Sequence, residues 1–230
     1  MLTEFLKKKA GYYPMPNTGT VLDISAGHWV LGHKGQMCLN GGLSMWSCIA
    51  ALPNMFKTTT AARMCGMTLL AFENALVHAH DTETTMVESR IERLILDSMS
   101  MPLEGLSIPD NLSTNGKLFF TSSVDYNGTE LMSLLKKMAA KRFKEEAKIK
   151  CEMIDDRTGK PYEWWNPIVE LWDSFSGMNA QSAEDMLEDG DVGTKDLNML
   201  AMRVNSGKSQ IVEQLPSFTA KHAIYVLATA

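Results

Sequence analysis

The chain is short of several features, and each shortage argues against a class of function. Its four cysteines, Cys38, Cys48, Cys65 and Cys151, form no CxxC pair and stand near no histidine at zinc-finger spacing. That pattern speaks against a structural zinc site and for reduced, mostly buried thiols. Long apolar runs are missing, since none approaches the ~20 residues needed to cross a bilayer. The start, Met1-Leu-Thr-Glu-Phe-Leu-Lys-Lys-Lys9, has no apolar stretch behind its charges and does not read as a signal peptide. Positive charge is not in excess either: 22 Lys and Arg face 27 Asp and Glu, a net charge of −5. A broadly basic nucleic-acid binder is thereby disfavoured, whereas a local nucleic-acid site stays open. Internal repeats and low-complexity linkers are also lacking. The expectation is a cytoplasmic protein with no membrane partner.

What is present fits one sizeable domain. The 230 residues are 45% hydrophobic and 21% charged, a globular composition with enough chain to bury a core. The 17 methionines are scattered and read as core filler. Residues 1–35 read as a leader, with a short helix over Thr3 to Lys9 and breakers at Gly11, Pro14, Pro16 and Gly19. Asn40-Gly-Gly-Leu43 predicts a turn. Strands are expected at 48–52, 75–79, 117–121, 168–172 and 222–229. Helices are expected at 57–74, 86–98, 128–150 and 196–215, and a small hairpin turns within 154–161. Strand and helix alternate, which is the signature of a largely parallel sheet flanked by helices in the α/β class.

Such a fold binds phosphates where a strand runs through a loop into a helix, because the helix N-terminus offers unpaired N–H groups. The phosphate-loop pattern GxxxxGK[ST] is met only at its end, by Lys57-Thr58. Phe56 precedes the lysine, and the loop opens with Ala51 or Leu52 in place of glycine. By itself this stretch reads sooner as an ordinary helix start with a surface lysine than as a phosphate loop. Asp81, Thr82 and Thr84 can cap the helix that follows them. Glu170 is out of place in an apolar strand. His78 and His80 alternate on one strand without a third ligand and read as packing or hydrogen-bonding residues. Trp164-Trp165 read as packing at a sheet edge.

Taken together, Gly41-Gly-Leu43, the loop Ala51-Leu-Pro-Asn-Met-Phe-Lys-Thr-Thr59, Asp81-Thr-Glu83 and Asp173-Ser174 resemble the RecA family in order and spacing. The likeness is nearest to recombinases of T-even-like phages, whose loop also has Phe before Lys. The resemblance implies a RecA-like P-loop NTPase core at 36–230, behind a leader or oligomerisation segment at 1–35. It implies ATP and Mg²⁺ as cofactors, with Pro53, Asn54, Met55, Phe56, Lys57, Thr58 and Thr59 forming the nucleotide loop. Thr58 and Asp173 would hold the metal, Lys57 would reach the phosphates, and Glu83 would be the general base that orients water. Gly190 to Asp196 resembles the first DNA-facing loop, with Lys195, Arg203 and Lys208 as phosphate contacts. The neighbouring Glu184, Asp185, Glu188, Asp189 and Asp191 equally fit a solvated acidic loop. His222 to Ala230 resembles the family's next core strand, which ends in a polar γ-phosphate sensor; the remaining strands and second DNA loop are not among these residues.

The implied activity is that of an ATP-dependent recombination and repair ATPase. It would assemble as a homo-oligomeric filament on single-stranded DNA, in a bacterial host cell and beside other phage recombination or replication proteins. Two alternatives share the core: a hexameric replicative helicase-type motor, and a degenerate core that binds nucleotide without hydrolysis.

Overall fold

The computed structural model describes residues 22–31, 37–43, 46–72, 74–100, 111–145, 148–155, 158–178, 202, 204–215 and 222–230. Nine strands are described: β1 (Leu22–Leu31), β2 (Met37–Leu43), β3 (Trp46–Ile49), β4 (Leu76–Asp81), β5 (Leu118–Ser122), β6 (Ile149–Asp155), β7 (Lys160–Trp164), β8 (Ile168–Asp173) and β9 (Ile224–Thr229). Among the described residues the α-helices are α1 (Lys57–Ala71), α2 (Glu88–Ser100), α3 (Gly128–Glu145) and α4 (204–215).

Five strands make the central sheet in the order β3-β9-β8-β4-β5, all parallel. The three inner strands are almost continuously buried, as a sheet covered on both faces requires, although β4 carries His78, His80 and Asp81 and β8 carries Glu170 among their apolar residues. On one face α1 and α2 bury Ala61, Cys65, Leu69, Ile91 and Ile95 against Val77, Val169, Leu171 and Leu227. On the other, α3 and α4 bury Leu131, Leu135, Ile211 and Leu215 against Trp172, Ile224 and Val226. A Cβ on Gly66 of α1 would lie 2.9 Å from the Ile95 carbonyl oxygen, so glycine is what lets α1 and α2 meet.

Arg142 ties α3 to the lower end of the sheet. It is buried, and its guanidinium donates to the Asn166 carbonyl at 2.5 Å and to the carbonyl of His222. Those carbonyls precede β8 and β9, so one planar fork fixes both strands.

The strand–helix alternation is present as expected, with three departures. Asn40 to Leu43 is not a turn: it lies inside β2, which pairs antiparallel with β1. The register between them shifts twice near Ser25 and Gly41, which is where an irregular ladder accepts glycine. The third helix ends at Glu145 rather than 150, because Ile149 onward leaves it for the β6–β7 hairpin. Gly159, at φ 66°, supplies the turn of that hairpin. The first sheet strand ends at Ile49, earlier than Leu52, which releases residues 50–56 as loop. The predicted helix over 3–9 and the 190–196 loop lie outside the described residues. Among the described residues no helix is long and apolar enough to cross a membrane.

Candidate functional site

All five sheet strands point the same way, so their C-terminal ends form one edge. The chain leaves β3 through α1 and returns in β4, but β9 and β8 lie between those two strands. A crevice outside the carboxyl ends at such a switch is where open α/β sheets bind ligands. The sequence-predicted residues Lys57, Thr58, Glu83 and Asp173 all come to this edge.

The loop after β3 solves the missing-glycine problem by backbone conformation. Asn54 and Phe56 sit at φ 63° and 57°, in the left-handed region that glycine enters without cost. Phe56 is also the N-cap of α1, and no side chain caps the helix. Its carbonyl accepts from the Thr60 amide at 2.9 Å, which leaves the first-turn amides of α1 facing the loop. Lys57 sends its ammonium across the loop to the Ala51 carbonyl, at 3.1 Å. Pro53, Asn54, Met55 and Phe56 therefore form an exposed arch ahead of the helix, with Leu52, Met55 and Phe56 presenting apolar side chains to solvent.

Asp173, at the end of β8, is held from two sides. Its Oδ2 accepts from the Thr58 hydroxyl at 2.6 Å, and its Oδ1 accepts from the Thr229 hydroxyl at the end of β9. Thr229 was not singled out from the sequence. The available signal was a threonine closing the run Ile224-Tyr-Val-Leu-Ala-Thr229 at the functional edge.

At the end of β4, Asp81, Thr82 and Thr84 were expected to cap the following helix, but α2 starts only at Glu88 and these side chains bond within the loops instead. Asp81 is buried and spends its carboxylate on the backbone, accepting from the Glu83 amide at 3.0 Å and the Met86 amide at 2.6 Å. That arrangement shapes the loop that projects Glu83. Glu83 Oε1 accepts from the Ser174 hydroxyl at 2.6 Å. Thr82 adds a second tie, donating to the Ser174 carbonyl at 2.5 Å and accepting the Ser174 amide at 2.9 Å. The Asp173–Ser174 peptide bond is cis.

Lys208 does not stand free on a surface. Its ammonium donates to the Ser176 carbonyl at 2.5 Å. Lys195, Arg203 and the acidic residues 184–191 lie outside the described residues. Of the cysteines described, Cys65 is buried, with its thiol pushed up to about 12 by desolvation, whereas Cys48 is exposed against expectation.

Glu170 finds its partner on the next strand. His78 Nδ1 meets Glu170 Oε2 at 2.7 Å, both side chains being buried. Burial would lower the His78 pKa, but the Glu170 charge and hydrogen bond outweigh it and raise it. His78 Nε2 and His80 Nδ1 both reach the Thr121 hydroxyl, at 2.9 and 2.8 Å. Burial, with the neighbouring His78 charge, pushes His80 down to about 4, so its ring stays neutral. These histidines belong to the α3 face of the sheet. A cavity of about 770 Å³ lies there between β5 and α3, lined by His78, Phe119, Thr121, Leu134 and Met138. It includes none of the edge residues above and is a separate feature.

The donor set at the edge suits a hard cation. Mg²⁺ takes oxygen ligands, keeps several waters, and is bound through one or two carboxylates with substrate phosphates. Thr58 and Asp173 offer a hydroxyl and a carboxylate already in contact, beside helix-terminal amides that suit phosphate. Among the described residues no cluster of three His, Cys, Asp or Glu side chains forms an all-protein metal cage.

No protein-family model matches the chain, and no curated protein matches it. Among solved structures it is similar to the pCW3 conjugation coupling protein TcpA, in its monomer form with ATPγS. The identity is 9% and the TM-score 0.43. The match covers 97% of this chain and 52% of the other, so the chain spans about half the length of that protein.

Proposed function

We propose that this chain is a P-loop-type ATPase core that binds Mg²⁺–ATP at the N-terminus of α1 and hydrolyses it with Glu83 as general base. The observation that carries the reading is the 2.6 Å contact between Thr58 and Asp173, which brings together residues 115 apart in the chain. An unrelated helix-start threonine and an unrelated strand-end aspartate have no reason to meet this way. In the bound state the α1 amides and Lys57 would take the phosphates, and Thr58 and Asp173 would hold the cation. The metal would neutralise charge on the phosphates. Glu83, fixed by Ser174, would accept the proton of the attacking water.

At the finer level, we infer that the ATPase acts in DNA recombination or repair and forms a homo-oligomeric filament on single-stranded DNA. The support is the order of four motifs, Gly41-Gly-Leu43, Lys57-Thr58, Asp81-Thr-Glu83 and Asp173-Ser174, together with the meeting of the last three at one sheet edge. A second reading, nucleotide binding without turnover, is favoured by one observation: Phe56 holds a left-handed conformation with its side chain 76% exposed, where glycine would be unstrained.

The test is ATP hydrolysis with and without single-stranded DNA for wild type, Lys57→Ala and Glu83→Gln. Wild-type turnover that rises with DNA is expected, with losses of about 100-fold or more in both variants. Equal activity in all three contradicts the catalytic assignment. Electron microscopy on single-stranded DNA then separates filaments from the rings of a helicase-type motor.

A further inference from the structure

The turn Phe175–Gly177 stands between α4 and Glu83, and it is gripped from both sides. On the α4 side, Lys208 donates to the Ser176 carbonyl at 2.5 Å, and its Nζ stands 5.9 Å from the Phe175 ring centroid. Phe175 is itself set edge-on against Trp46 at 5.0 Å and lies parallel to Trp172 at 6.4 Å. Partial burial lowers the Lys208 pKa, so this ammonium has given up water for the turn.

On the Glu83 side the contacts form a relay with one direction. Ser174 Oγ is 2.6 Å from Glu83 Oε1 and 2.5 Å from Ser176 Oγ. Ser174 has a single hydroxyl proton, and an ionised Glu83 can only accept it. Ser176 must therefore donate to Ser174, which donates to Glu83. Gly177 makes the fit close: a Cβ there would lie 2.6 Å from Thr82 Oγ1 and 3.1 Å from Glu83 Cγ. The turn thus rests directly on the loop that carries the carboxylate, and it cannot shift without moving Glu83.

We propose that Lys208 is a positioning residue for Glu83, holding the Phe175–Gly177 turn so that the Ser176–Ser174 hydroxyl relay fixes the carboxylate. Helix α4 is thereby linked mechanically to the water-activating group across the edge of the sheet. The proposal rests on the reading of Glu83 as the general base, and its test keeps the two apart.

Steady-state ATP hydrolysis and binding of a non-hydrolysable ATP analogue are measured for wild type, Lys208→Met and Lys208→Arg, and for the first substitution in a Ser174→Ala background. Lys208→Met is expected to lower kcat at least tenfold, with KM and analogue affinity within twofold of wild type. Lys208→Arg is expected to regain most of the loss, because a guanidinium can still reach the Ser176 carbonyl. In the Ser174→Ala background, where the relay is already cut, Lys208→Met should change kcat less than twofold. Losses that multiply, or an unchanged kcat with a raised KM, overturn the proposal.

A wild type that binds the analogue but turns nothing over defeats the catalytic reading of Glu83 alone. The contact is then read by amide hydrogen exchange over residues 82–86. Lys208→Met should speed exchange there several-fold and Lys208→Arg should not. Exchange unchanged in both variants overturns the proposal.

Discussion

At Phe56 the chain puts a bulky aromatic into a backbone conformation that costs a side-chain-bearing residue roughly 1–2 kcal/mol. Because the ring is mostly exposed, little packing offsets that cost. Phe56→Gly is therefore expected to be more stable than Phe56→Ala by about 1 kcal/mol in urea unfolding, since only alanine keeps the strain. Equal stabilities would mean that the loop relaxes and that the left-handed arch is not required.

His80 predicts a pH response whose sign is fixed by its depressed pKa. The folded ring is neutral down to about 4, whereas an unfolded histidine protonates near 6.5. Between those values the unfolded state binds more protons, so stability falls as pH falls. The full loss below pH 4 is at most about 3 kcal/mol. His78 has the opposite sign: its raised pKa adds stability that is complete below 6.5 and lost as pH rises through the folded value. His80→Gln should flatten the fall in urea-unfolding stability between pH 6.5 and 4.5, and an unchanged slope would remove His80 as its source. The sequence marks both histidines as packing or hydrogen-bonding residues and Glu170 as out of place. It could not pair them, because His78 and Glu170 meet only through strand register across β4 and β8.

At the scale of elements, helix packing sets the sharpest expectation. Gly66→Ala would force its Cβ onto the Ile95 carbonyl and the Ser98 and Met99 side chains. A destabilisation of about 1–3 kcal/mol is expected, read as a lower urea midpoint with unchanged m-value. No change would show that α1 and α2 have room to separate. Arg142→Lys should be costly too, by about 2 kcal/mol, because an ammonium cannot serve both strand-entry carbonyls as the fork does. Full stability of that variant would deny Arg142 its role as a clamp.

Element type was legible where periodicity was strong. The α1 stretch carries apolar residues at helical spacing, and β8 and β9 are short apolar runs between breakers. The misread elements failed for local reasons. The glycine pair at 41–42 signals a turn by composition, but an irregular antiparallel ladder also accepts it. The charged run that fills α3 continues past Glu145 without a breaker, so the start of the β6–β7 hairpin has no local mark.

At the scale of the whole molecule, the parallel sheet followed from alternation, but its order did not. That β9 inserts between β3 and β8 is a fact of three-dimensional pairing, and it is what brings Thr229 to Asp173. Lys57, Thr58, Glu83 and Asp173 could be named because the motifs that carry them resemble those of the RecA family in order and spacing. The Ser174–Glu83 bond, the Gly177 contact and the Lys208 grip could not, since they join segments distant in sequence. We propose that this edge binds nucleotide with Mg²⁺. Titration of a fluorescent ATP analogue, with Mg²⁺ and with EDTA, tests it on wild type, Lys57→Ala and Thr58→Ala. The account predicts Mg²⁺-dependent binding by wild type, weakened about 10- to 100-fold by Lys57→Ala and stripped of its Mg²⁺ dependence by Thr58→Ala. Binding that is absent in wild type, or equal in all three proteins, would contradict it.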